Sequence, residues 1–164
     1  MNENIKDRDR LLSALSEAVS LVTCFFTQSD GTLFDGHQTA REVLSHLVFW
    51  HREYVAVSRA LLISDKPELL RGSLAEFNER ATIEFQEKSM EELAHCLVEL
   101  QTTLDSNLRH LKDWNVNFPF KKGCRGTDVS GRLSSIDAHI RHHLARQERA
   151  YRRGEAWIKA YYLD

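Results

Sequence analysis

The chain is 164 residues long, 42% hydrophobic and 28% charged, the make-up of an ordinary globular protein with room for one domain and its core. A formal net charge of −2 leaves no basic stripe for a phosphate backbone, which excludes nucleic acid as a partner; no apolar run reaches the length of a bilayer span, which excludes an integral membrane protein. The three scattered cysteines, Cys24, Cys96 and Cys124, form no CxxC pair and read as reduced thiols.

The opening MNENIKDRDRLL mixes both charge signs, unlike the basic-then-apolar layout of a signal peptide, so a cytoplasmic location is expected. From about residue 7 to 26, Leu11, Leu15, Ala18, Val22 and Phe25 recur at helical spacing and predict a first helix. Asp30 with Gly31 and Asp35 with Gly36 then mark a loop. Thr39 and Glu42 form a capping box, which predicts a second helix over residues 39–62, stopped by the break before Pro67. On this helix Arg41, Ser45, Arg52 and Arg59 share a solvated side, and His46 points roughly 120° away, toward Val43 and Trp50.

Ser73 with Glu76 opens a shorter helical segment, about 73–87, read as part of a crossover. Ser89 with Glu92 opens a third long helix whose stripe is Leu93, Leu97, Leu100, Leu104, Leu108 and Leu111, ending near Trp114. The stretch 115–131, with Pro119, Gly123, Gly126 and Gly131, is predicted to be irregular and in part mobile. A last helix starts between Val129 and Ser135 and runs to about Tyr161, its apolar arc formed by Ile136, Ile140, Ala150, Tyr151, Trp157, Ile158 and Tyr161.

Eight histidines are the compositional oddity. His139 and His143 fall on the apolar side of the last helix one turn apart, the spacing that lets two imidazoles converge on one ion. An inward imidazole has a donor and an acceptor to satisfy, and coordination satisfies one of them. His46 is the natural third ligand, leaving a coordination position open. The residues alone leave a second reading open, in which these histidines bond Gln147, Glu42 or each other in a wet core. His95, His110 and His142 lie off the apolar faces, His51 reads as a packed core histidine, and His37 as a loop residue.

Three stretches resemble a known superfamily: DGHQTAREVLSHLVFWHREY (35–54), LAEFNERATIEFQEKSMEELAHCLVELQTTL (74–104) and DAHIRHHLARQERAY (137–151). They are similar to DinB/YfiT-like proteins, nearest the ClbS/DfsB type. The resemblance implies an all-α four-helix bundle in up-down-down-up order, with a short extra helix in the crossover between the second and third bundle helices. It implies a divalent metal, zinc or nickel, on His46, His139 and His143. ClbS-like members often lack the second histidine of HxxxH, which is present here as His143.

The resulting expectation is a metal-dependent thiol S-transferase or hydrolase acting on a small electrophilic molecule, in detoxification or resistance, with a low-molecular-weight thiol as a partner and a homodimer compatible with an exposed helix face. Glu42 and Glu53 lie on roughly the His46 side of their helix and are the candidates for orienting a ligand or acting as base. Asn78, Trp50 and residues 121–125 are candidate pocket residues. The rival is a non-catalytic bundle that binds a toxic compound or a partner protein through structural histidines.

Overall fold

Three helices begin where the sequence places a capping box. In a computed structural model that describes the backbone of residues 3–161 and the side chains of residues 6–154, the side chains of Thr39, Ser73 and Ser89 each accept from the backbone N–H three residues on, and Glu42, Glu76 and Glu92 reach back to the cap. These reciprocal bonds satisfy amides that a helix start leaves open. The elements are α1 (Glu3–Thr27), α2 (Ala40–Leu62), α3 (Leu74–Glu84), α4 (Met90–His110) and α5 (Val129–Tyr161). Among the described residues, β pairing is confined to one isolated bridge between Phe34 and Thr39. The fold is the all-α bundle expected, α1, α2, α4 and α5 forming the bundle and α3 lying in the crossover. The arc expected at Trp157, Ile158 and Tyr161 falls outside the described side chains.

The core is continuous. It takes Leu12, Leu15, Val19, Val22 and Phe26 from α1, recurring every three or four residues, and Leu93, Leu97, Leu104 and Leu108 from α4, spaced by four or seven. By length and composition, residues Lys6–Thr27 of α1 would cross a bilayer, which corrects the reading that no apolar run is long enough. The apolar face of that helix, however, is spent on the bundle, where it packs against α4 and α5.

Helix α2 is the most enclosed element, buried without interruption from Val43 to His51. Its expected solvated side is only partly solvated, and Ser45 is buried. The reason is α3, which lies against α2: Phe49 stacks on Phe77 at 6.1 Å, and Arg52 pairs with Glu84. Just after α3, Lys88 O accepts from the Arg41 guanidinium.

Helix α4 stops at His110, earlier than the leucine stripe suggested, because Leu111 turns extended. The chain then folds back, and Trp114 donates its Nε1–H to Leu108 O at 3.1 Å, satisfying a carbonyl at the helix end. The segment up to α5 is irregular, as expected, yet tied down. Phe118 is fully buried, its N–H bonds Thr127 O at 2.8 Å, and Val129 N–H bonds Trp114 O at 3.1 Å. If Trp114 anchors this segment, Trp114→Ala is expected to cost about 3–5 kcal/mol in urea unfolding, and Trp114→Phe, which forfeits mainly the hydrogen bond, about 1 kcal/mol. Equal losses would show that the indole N–H is the anchor rather than ring packing.

Candidate metal centre

Two helices and one crossover residue build the site. His46 comes from the enclosed stretch of α2, and His139 and His143 from successive turns of α5. Their nitrogens converge: His46 Nε2 lies 3.2 Å from His139 Nε2, His143 Nε2 lies 3.0 Å from His139 Nε2, and the potential ligand atoms all fall within 4.8 Å of one another. Asn78 of α3 completes the arrangement, its Oδ1 2.7 Å from His46 Nδ1. An amide oxygen only accepts, so His46 Nδ1 carries the proton and its Nε2 presents a lone pair to His139 Nε2.

Two-centre hydrogen bonds among the three rings cannot satisfy this geometry. His139 Nε2 has either one proton or one lone pair, and it faces two nitrogens. If it donates to His46, it cannot also donate to His143; if it accepts from His143, it opposes the lone pair of His46. A cation shared by three lone pairs removes the conflict. Two imidazoles bound tetrahedrally to one ion at about 2.0–2.1 Å have nitrogens roughly 3.3 Å apart, close to the 3.2 and 3.0 Å of the two pairs that share His139. The donor set therefore fits a divalent transition metal with at least one coordination position left open.

Electrostatics prepares the rings for this role. Burial lowers the pKa of His46, opposed by the Asn78 hydrogen bond. Burial, reinforced by the neighbouring imidazoles, pushes His139 down to about 4 and His143 to about 3. All three are neutral near pH 7, so a metal has no proton to displace. His143 Nδ1 and Gln147 Oε1 are both buried without a hydrogen-bond partner among the described residues. Gln147 otherwise donates Nε2–H to Gln38 O at 3.2 Å. Alongside, Arg146 pairs with Asp35 at 3.0 Å, so two contacts moor the 28–39 loop to α5. Burial raises the Asp35 pKa, but the N–H groups of Gln38 and His37 and the charge of Arg146 outweigh it and hold the carboxyl below its usual range. Gly36 makes this turn in the left-handed region, φ +97°.

The histidines form one wall of a cavity of about 380 Å³ whose other walls include Trp50, Tyr54, Asn78, Phe120, Arg132 and Ile136. Trp50 and Asn78 thus stand where the sequence suggested, and Arg125 lines an adjoining cavity. Glu42 and Glu53 do not line either cavity. The Glu42 carboxylate accepts from Thr39 N–H at 2.7 Å, its capping role, and Glu53 lies 3.5 Å from Arg52. His51 is a core histidine, hydrogen-bonded to Gln101 Oε1 at 2.9 Å, and His37, His95, His110 and His142 are exposed. The sequence reading missed Tyr54, Arg132, Ser135 and Ile136. Arg132 is seven residues before His139, on the same helical face, but the signal is usable only once α5 is known to start at Val129.

No protein-family profile matches the sequence, and no curated protein matches it significantly. Among solved structures, the chain is similar to the mycothiol-dependent maleylpyruvate isomerase, with a TM-score of 0.69 at 12% identity, over 85% of this chain and 60% of that one. The chain thus spans less than two thirds of that protein's length and shares its helical-bundle fold.

The buried histidines give the metal-free protein a defined pH response. In the unfolded chain each titrates near 6.5; folded, His51 and His139 titrate at about 4. Between those values the unfolded state binds more protons, so stability is complete above about pH 6.5 and is lost as the pH falls toward 4. His51 alone is expected to forfeit on the order of 2 kcal/mol by pH 5. Urea midpoints measured from pH 7 to 4 are expected to fall, with a shallower slope in His51→Gln; an unchanged slope in that variant would contradict the assignment.

Proposed function

We propose that this protein is a metal-dependent enzyme acting on a small electrophilic molecule, with His46, His139 and His143 as the ligands of zinc or nickel. The observation that carries the reading is the convergence of three neutral imidazoles, which two-centre hydrogen bonds cannot satisfy, on the wall of a cavity of small-molecule size. When bound, such an ion lowers the pKa of a coordinated water or thiol toward neutrality.

The chain's own residues supply the surroundings. Trp50, Phe120, Leu74 and Ile136 give the cavity apolar walls that exclude water from a bound substrate. Asn78 fixes the His46 tautomer and ring orientation. Burial pushes the Tyr54 hydroxyl up to about 12, against the charge of Arg132, so it remains a proton donor at neutral pH. Among the described residues no carboxylate lines the cavity. That favours thiol transfer over hydrolysis, because a metal-activated thiol needs no side-chain base once deprotonated, whereas activated water usually draws on one. The fold neighbour, named for its mycothiol dependence, supports a low-molecular-weight thiol as the second substrate.

Protein purified without an affinity tag is expected to hold stoichiometric metal by elemental analysis, and His139→Ala to hold none while remaining helical. Metal-free wild type that also fails to take up added zinc or nickel would remove the metal reading and leave a non-catalytic binding bundle. Asn78→Leu is expected to weaken metal affinity about 10–100-fold, read by competition with a chromogenic chelator. Conjugation of 1-chloro-2,4-dinitrobenzene to a panel of small thiols, dependent on the metal, checks the transferase assignment; hydrolysis without any thiol requirement would refute it.

A further inference from the structure

The metal-centred reading leaves one buried charge unused. Arg132 is only 8% exposed. Its Nε–H donates to Phe118 O at 2.9 Å, one Nη reaches Arg125 O at 3.5 Å, and its guanidinium carbon lies 4.8 Å above the Phe120 ring. Carbonyl dipoles and an aromatic face soften a positive charge without neutralising it. Arg52, Arg109, Arg141 and Arg146 all pair with carboxylates, and Arg132 pairs with none among the described residues. It nevertheless lines the histidine cavity and also the adjoining cavity of about 390 Å³, and among the described residues no acidic side chain lines either one.

We infer that Arg132 is the anion-recognition residue of this cavity, and that the ligand is a small molecule carrying a carboxylate, anchored at Arg132 with its reacting end toward the histidines. The inference rests on the reading of the histidine cavity as the substrate site. Position and chemistry agree. Arg132, Ile136, His139 and His143 form one stripe of α5 facing the cavity, and helical rise puts the Cα of Arg132 roughly 10 Å from that of His139. A ligand that spans them therefore separates its carboxylate from its reacting centre by several bonds. The Nε–H bond to Phe118 O fixes the plane of the guanidinium while leaving Nη1 without a hydrogen bond to the described residues, the arrangement from which arginine holds a carboxylate. Phe120, Arg132 and Ser135 are shared by both cavities, so the anchor stands at their junction.

Calorimetric titration of the full-length chain with 4-phenylbutyrate and with its neutral amide tests this, in metal-free and in zinc-loaded protein. The carboxylate is expected to bind at least about tenfold more tightly than the amide in metal-free wild type, and Arg132→Gln to erase the preference. Equal binding of the two probes in wild type, or a preference that survives Arg132→Gln, overturns the inference. A preference that appears only with zinc and survives that substitution places the carboxylate on the ion, so the Arg132 inference fails while the metal reading stands. An Arg132-dependent preference in protein that takes up no zinc supports the anchor and removes the metal reading. Should the variant fail to fold, the Arg132 Nε–H resonance in wild type decides: it is expected to shift with the carboxylate and not with the amide.

Discussion

The structure depends on the enclosure of α2. A helix covered by α4, by α3 and, more lightly, by α5 keeps only a narrow side, that of Arg52 and Arg59, toward water, so every buried polar residue on it must find a partner or carry a cost of the order of 1–3 kcal/mol. Ser58 and His51 find theirs. Ser58 donates to Val55 O and accepts from Asn107, and His51 meets Gln101, which in turn reaches Ser16 of α1. Apart from the Ser58–Val55 bond within α2, these contacts cross between helices, so the bonds that remove the penalty also fix how α1, α2 and α4 sit against one another.

His46 obeys the same constraint differently. One of its nitrogens is satisfied by Asn78, and the other faces the His139 imidazole rather than an amide or a carbonyl. The contrast with His51 separates a structural histidine from a candidate metal ligand: the two are five residues apart on one helix, both are buried and both have lowered pKa values. What differs is that the His51 environment closes its hydrogen-bond account within the core, whereas that of His46 stays open toward a cavity.

Much of this was legible in the sequence. Capping boxes at Thr39, Ser73 and Ser89 gave three helix starts because their bonds are local and read directly from a spacing of three residues. Helical phase turned His46, His139 and His143 inward for the same reason. Phase could not tell that α3 covers the Ser45 side of α2, nor that Leu111 leaves the helix, since both follow from tertiary packing. The carboxylates illustrate the limit most plainly. Glu42 has the right face and the right chemistry, but its oxygen is engaged by Thr39, and the sequence cannot rank a capping bond against a place in a cavity. Arg132 escaped notice because an arginine near an unfixed helix start looks like any solvated charge.

The segment joining α4 to α5 has a consequence of another kind. It is pinned at both ends, by Trp114 on Leu108 and by Val129 on Trp114, and its middle supplies Phe120 to one cavity and Arg125, Gly126 and Thr127 to the other. The histidines sit on helices whose positions are set by the bundle core, not by this segment. On the proposed function, part of the cavity's shape thus lies in a stretch separate from the histidines, while Trp50, Asn78, Arg132 and Ile136 on the helices supply the rest. Descendants of this protein could change length and residues between 119 and 127 and acquire new substrates while the three imidazoles stay in register, a division of labour that favours divergence by substitution in one stretch over redesign of the whole.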